Sequence, residues 1–168
     1  MKTLLLFGGL FTLVASACPS GSASACSPPP PPPPWFTSDQ IEAQFAERIL
    51  AGQREAWEGA TTVFIARVAE QGAIRIAPQL FGRRAVLIPV LQLKGPKVQR
   101  RITIRHTGYL CGMTPGFDAL REDAEGYFVV YSGADRPTNE TIWTTTPVND
   151  LVEPKALEAW SLATSPGN

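Results

Sequence analysis

Histidine is nearly absent from this chain: His106 is the only one, accompanied by three cysteines and two methionines. With no Cys-x-x-Cys pair and no His-Glu-x-x-His stretch, the sequence offers no ligand spacing for a structural or catalytic zinc. Gly-x-Ser-x-Gly and the glycine-rich phosphate loop are missing too, which removes common signatures of acyl transfer and nucleotide hydrolysis. No apolar run reaches the roughly 18 residues that a spanning helix needs. Net charge is absent as well: 15 Lys and Arg stand against 15 Asp and Glu, so no bulk attraction to nucleic acid or membrane is implied. From these absences we expect no cofactor, no metal site and no enzyme.

The neutral total hides an uneven distribution. Residues 61–110 hold nine Lys and Arg and one Glu, about +8, while residues 111–168 hold three Lys and Arg and nine acids, about −6. The two halves either neutralise each other across one folded surface or leave a basic patch for an acidic partner, for which Arg101 and Arg105 are the candidates. That face, Arg101, Thr103 and Arg105, lacks the interleaved aromatics that stack on bases, so nucleic acid is not an expected partner.

What is present at the start is an export signal. Lys2 precedes an apolar run over residues 4–14, the length of a signal core and too short for a comfortable span. Ala-Ser-Ala-Cys follows twice, at 15–18 and 23–26, and each satisfies the small-x-small cleavage rule. The first has Cys18 at the first mature position, as in a bacterial lipoprotein, with Ala15 where Leu is usual. The second is an ordinary secretory site with a long polar lead-in. Export is the expectation under both, to the periplasm or beyond, and a lipid on Cys18 would be the only membrane attachment.

Cys18 is lipidated or discarded in either scheme, which leaves Cys26 and Cys111, an even number in an oxidising compartment. They either stay as two thiols or bridge, closing about 85 residues and contributing about 4 to 5 kcal/mol before strain.

Along the mature chain, residues 28–34 are seven consecutive prolines, a polyproline II rod of about 20 Å that suits a spacer, a strap over the domain or a docking site for an aromatic groove, the first two being preferred beside a signal and a cysteine. Thr37 with Gln40, or Asp39 with Glu42, can cap a helix in which Ile41, Phe45, Ile49 and Leu50 share one face. We read it as a packing helix, weakened at Gly52 and anchored again by Trp57. Residues 61–70 and 73–77 read as a strand hairpin turning at Gln71-Gly72, and residues 78–84 as a loop. Residues 85–93 are almost wholly apolar, with Pro89 demanding an edge or a bulge. Lys94-Gly95-Pro96-Lys97 is a turn, and in residues 98–106 Ile102 and Ile104 alternate with Arg101, Thr103 and Arg105 as in a half-buried strand. Residues 127–132 and 141–146 complete about six strands, and residues 154–160 suggest a short helix. The class is mainly β, a small twisted antiparallel barrel with one packing helix.

In order along the chain stand Cys26-Ser-Pro-Pro, Thr62-Val-Phe-Ile-Ala-Arg-Val68, Val90-Leu-Gln-Leu-Lys-Gly95, Cys111-Gly112 and Tyr127-Phe-Val-Val-Tyr131. Together they resemble the netrin-like module of the tissue inhibitors of metalloproteinases and their bacterial relatives, over roughly residues 26–146 of this chain. The family pattern is Cys-x-Cys with prolines, a Val-Phe-x-Gly-x-Val strand, a strand ending in Lys-Gly, a Cys-Gly loop and a Tyr-Leu-Val-Tyr-like strand. Here Pro28 occupies the place of the second cysteine, Ala66 replaces the glycine, and no cysteine follows the last strand. The resemblance implies an OB-like barrel with a helix packed on it. Its organisation would be a signal peptide over 1–17 (to 25 if the second site is used), a linker with the polyproline run over 18–36, one OB-like domain over 37–163 and a tail over 164–168.

In the animal inhibitors the free amine and carbonyl of an N-terminal cysteine chelate the zinc of a protease. The resemblance gives that role to Cys26, with Ser27 in the place of the small hydroxyl residue, only if cleavage falls after Ala25; lipid cleavage at Cys18 leaves Cys26 without a free amine. The reading preferred from the sequence is an exported, non-catalytic binding or envelope module with a protein partner the sequence does not identify. A metalloprotease inhibitor is the alternative, and a lipoprotein with an unspecified enzymatic role is a further one. For that last reading the candidates are Asp118, Glu122, Asp123 and Glu125, with His106 near in sequence; four carboxylates in a polar loop are usually solvated charge or at best a weak calcium site.

Overall fold

The computed structural model describes residues 35, 37–77, 80–106 and 116–164, without the side chains of 76, 77 and 80. Helix α1 (Ser38–Gly59) starts where the sequence places it: the Gln40 N–H donates to Thr37 Oγ1 at 3.3 Å and the Thr37 N–H to Gln40 Oε1 at 3.0 Å, the reciprocal cap. Five strands follow, β1 (Thr62–Ala77), β2 (Leu80–Lys94), β3 (Ile102–His106), β4 (Tyr127–Ser132) and β5 (Ile142–Pro147), and then helix α2 (Pro154–Thr164). Every neighbour pair in the sheet is antiparallel, in the order β3-β2-β1-β4-β5.

Three expectations are corrected here. The expected hairpin at Gln71-Gly72 does not exist, because both residues stay in the ladder opposite Ala85 and Arg84. The Gln71 side-chain amide also donates to the carbonyls of Glu122 and Ala124, at 3.1 and 3.2 Å, which holds the strand extended. The two segments 61–70 and 73–77 are thus one strand, and Arg83 and Arg84 belong to β2 rather than to a loop. Six strands become five, in an open sheet rather than a closed barrel, since no ladder joins β3 to β5 among the described residues. The short helix expected over residues 154–160 is α2, which runs on to Thr164 and packs on the sheet beside the end of α1.

Both faces of the sheet are covered at its centre. On one face Phe64, Leu87, Ile102, Ile104, Phe128, Val130 and Ile142 form a core closed by Ala119 and Leu120. On the other, Val63, Ile65, Val129 and Tyr131 meet Trp57 at the end of α1 and Ala156 of α2. Burial on both faces explains why the middle of β1 and of β4 is a continuous apolar run and not an alternating one. The register expected for β3 holds: Ile102 and Ile104 are buried while Arg101, Thr103 and Arg105 are exposed. Val86 is also buried, but on the face away from Ile104. Pro89 sits beside a register shift that leaves Val90 unpaired, the bulge its missing N–H requires. Gly95 turns the chain at φ 79°, and a Cβ there would lie 2.4 Å from the Thr61 carbonyl oxygen, so the position suits glycine alone.

Candidate functional site

Only the last turns of α1 rest on the domain: Gln53 and Trp57 are its buried residues. Of the apolar stripe read as its packing face, Phe45 and Ile49 are solvent-facing among the described residues, 64% and 45% exposed, while Ile41 and Leu50 are half-buried. Beneath Ile49 the helix and β5 diverge and enclose a groove of about 780 Å³. That volume lies in the range of ligand and peptide clefts. Arg48, Ile49, Gly52 and Ala56 form one wall; Thr144, Thr146, Pro147 and Val152 form the other; Asp118 and Asp150 lie within it.

Each wall is held by specific bonds. A short 3-10 turn, Asp118–Leu120, is pinned by the Ala119 N–H donating to Thr145 Oγ1 at 3.0 Å. Just before it, the Gly116 carbonyl accepts from the Thr145 N–H at 2.7 Å and from Thr144 Oγ1 at 2.5 Å. A second short turn, Val148–Asp150, is tied to α1 through Gln53, whose Nε2 donates to the Asp150 carbonyl at 2.7 Å. Gln53 Oε1 accepts from the N–H groups of Val152 and Glu153, at 2.8 and 3.1 Å. The backbone thus presents the two aspartates from fixed turns. Burial raises the pKa of the Asp118 carboxyl above its usual value, the Arg121 charge offsets part of that rise, and the Asp150 charge adds to it. A cation entering the groove would relieve this mutual repulsion.

The residues singled out in the sequence are scattered. Asp118 lies in the groove, but Glu122 faces Arg83 at 3.6 Å and Asp123 faces Arg121 at 3.3 Å. Glu125 borders a separate hollow beside Arg67 and Glu70. His106 lies against Phe117 with ring centres 5.6 Å apart and the planes tilted by 44°. Among the described residues no group of three or more His, Cys, Asp or Glu is placed to hold a metal. Arg101, just before β3, and Arg105 within it are both exposed, the strand expected over 98–106 beginning only at Ile102; Arg101 pairs with Glu70 at 2.6 Å, and the Arg105 backbone N–H donates to the Asn139 side chain. Cys18, Cys26, Ser27 and Cys111 lie outside the described residues, as do the signal and polyproline segments. No described helix is long and apolar enough to cross a membrane.

Gln53, Gly52 and Asp150 escaped the sequence reading. Gln53 had a signal: Ile41, Phe45, Ile49, Gln53 and Trp57 recur at every fourth position, so the glutamine interrupts an apolar stripe where only a bonded amide is tolerated. Gly52 looked like a helix weakener. In place, a Cβ built on it meets nothing within 4 Å, so the glycine leaves the groove open without making a contact of its own.

Compared with known proteins, the chain matches no family model and no curated protein sequence. The likeness to the netrin-like module therefore rests on the motifs quoted above.

Proposed function

We propose that this chain is an exported, non-catalytic binding module that takes a protein partner in the groove between α1 and β5. The observation that carries the reading is the continuity of the exposed stripe Phe45–Ile49 with a groove whose wall is opened by Gly52 and which contains Asp118 and Asp150. A mixed lining, in which Ile49, Ala56, Pro147 and Val152 stand with Asp118 and Asp150 against the single cation Arg48, suits a segment carrying an apolar side chain next to a lysine or arginine. The netrin-like, OB-like ancestry is part of the same proposal. It is supported by the order of motifs and by a sheet curled enough for Gln99 Nε2, just before β3, to reach the Pro137 carbonyl at 2.5 Å in the β4–β5 connection.

Photo-crosslinking in the native compartment tests the reading. A photoreactive residue at Phe45 should yield a discrete adduct, and one at Arg54, half a helical turn around, should not. Gly52→Leu should abolish the adduct while leaving the helix intact, because the helix loses an interior glycine that costs about 1 kcal/mol. An equal yield at both positions, or an adduct indifferent to Gly52→Leu, would refute it.

A further inference from the structure

The β1–β2 hairpin outruns its neighbours. β4 pairs with β1 only up to Arg67, and β3 pairs with β2 only from Arg83 to Leu87, so beyond Arg83 the two strands pair with each other alone. Near the end of this arm Phe81 is 54% exposed, and the Arg75 guanidinium lies 5.9 Å from the centre of its ring. At the base of the arm, on the other face of the ribbon, Arg84 stands directly opposite Arg105 of β3, and both are exposed. Like charges in direct register destabilise a strand pair. Among the described residues neither arginine has a carboxylate within 4 Å; the Glu140 carboxyl is held below its usual pKa first by the Thr138 hydroxyl and only last by the charge of Arg105. The loop leading into β3 adds exposed Lys97 and Arg100. A projecting arm with an aromatic near its end and arginines outside any close ion pair at its base is complementary to a surface that is negative outside and apolar just beneath.

We propose that this arm and the adjoining β2–β3 face dock on an anionic phospholipid membrane. The arm enters tip first, so that Phe81 and Arg75 on one face of the ribbon reach the headgroup layer while Arg84 and Arg105, at the base on the other face, meet the lipid phosphates. This surface is separate from the α1–β5 groove, so the two readings stand or fall independently. It also differs from an acyl anchor, which would hold neutral and anionic bilayers alike.

Vesicle co-sedimentation of the mature exported protein separates these cases. Binding should be at least about tenfold tighter to vesicles containing phosphatidylglycerol than to pure phosphatidylcholine, with the preference falling as salt rises. Arg84→Glu replaces a repulsive cross-strand pair with an attractive one, so it should raise the melting temperature while it erases most of the preference. Phe81→Ala should weaken binding to the anionic vesicles severalfold at unchanged melting temperature. Equal affinity for both vesicles, or a preference that survives Arg84→Glu, overturns the proposal. A preference that survives Phe81→Ala unchanged assigns the face to soluble polyanions and overturns it as well.

Discussion

Gln53 of α1 holds the Asp150 carbonyl at 2.7 Å, across 97 residues of sequence, and this bond joins the helix to the turn that carries one of the groove's two aspartates. The same side chain also caps the N–H groups of Val152 and Glu153. Replacing it with leucine keeps the volume and strands three backbone groups. Gln53→Leu should therefore lower stability by about 2 to 4 kcal/mol. Gln53→Glu should do comparable harm, since it turns a carboxylate oxygen toward the Asp150 carbonyl. Urea unfolding measures both; a loss under about 0.5 kcal/mol for Gln53→Leu would show that these groups find other partners.

Much of this fold was legible because local physics decided it. The Thr37/Gln40 cap, the positive-φ glycine at Gly95, the bulge at Pro89 and the in–out alternation of Ile102 and Ile104 are all set within a few residues. The errors share a different cause. Gln71-Gly72 has the composition of a turn, but the ladder to Ala85 and Arg84 and the amide bonds to the 122–124 loop keep it extended, and those partners are remote in sequence. The Ile41–Phe45–Ile49 stripe has the period of a packing face, yet periodicity does not report what meets it, and among the described residues nothing covers Phe45 or Ile49. The groove was invisible for the same reason. Asp118 and Asp150 lie 32 positions apart, and only the pairing of β5 with β4 and the reach of Gln53 bring them to one cleft.

The export reading makes a chemical prediction about the cysteines. We propose that Cys26 and Cys111 are bonded in the mature protein, so non-reducing peptide mapping should recover one linked pair and Cys26→Ser should cost a few kcal/mol, about as much as reduction of the wild type. N-terminal analysis of the same sample decides the attachment. A mature chain beginning at an acylated Cys18 removes the zinc-chelating role of Cys26, whereas one beginning at Cys26 leaves its amine free to act. Two free thiols in the exported protein would end the bridge and, with it, the correspondence to the family's first cysteine.

Asp118 should report on the groove through pH. Its pKa is raised by burial, so the native state holds this proton more tightly than the unfolded chain does. The protonated native form has its full advantage below the usual value of 3.8, and stability falls as pH rises from there through the raised value. At neutral pH the buried charge is therefore unfavourable. Asp118→Asn should raise the neutral melting temperature and remove the fall in stability between 3.8 and the raised value, which leaves the rise of stability with pH contributed by the other carboxylates steeper, while weakening any partner whose cation sits between Asp118 and Asp150. A melting temperature that drops at neutral pH would mean that the carboxylate is held by a favourable interaction stronger than its desolvation.

Tyr131 supplies the opposite limb. Its ring is fully buried in the cluster with Trp57, Val63 and Ala156, and its hydroxyl has no hydrogen-bond partner among the described residues. Burial, and then the charge of buried Glu153, push the phenol from 10.0 up to about 12. Glu153 is held in place by the start of α2, where its Oε2 accepts from the N–H groups of Lys155 and Ala156 at 2.5 and 3.3 Å. Because the unfolded phenol ionises near 10 and the native one only near 12, the native state binds more protons in that window. Stability is unaffected by Tyr131 below that window and declines as pH rises through it. Tyr131→Phe removes the ionising group and the unpaired oxygen together. It should leave stability at neutral pH unchanged or higher by about 1 kcal/mol, and it should flatten the alkaline decline. Ultraviolet titration of the tyrosines should show one late-ionising phenol in the wild type and none in the variant. A neutral-pH loss above about 1 kcal/mol would place a real hydrogen bond on that hydroxyl, and an unchanged alkaline slope would transfer the late ionisation to another group.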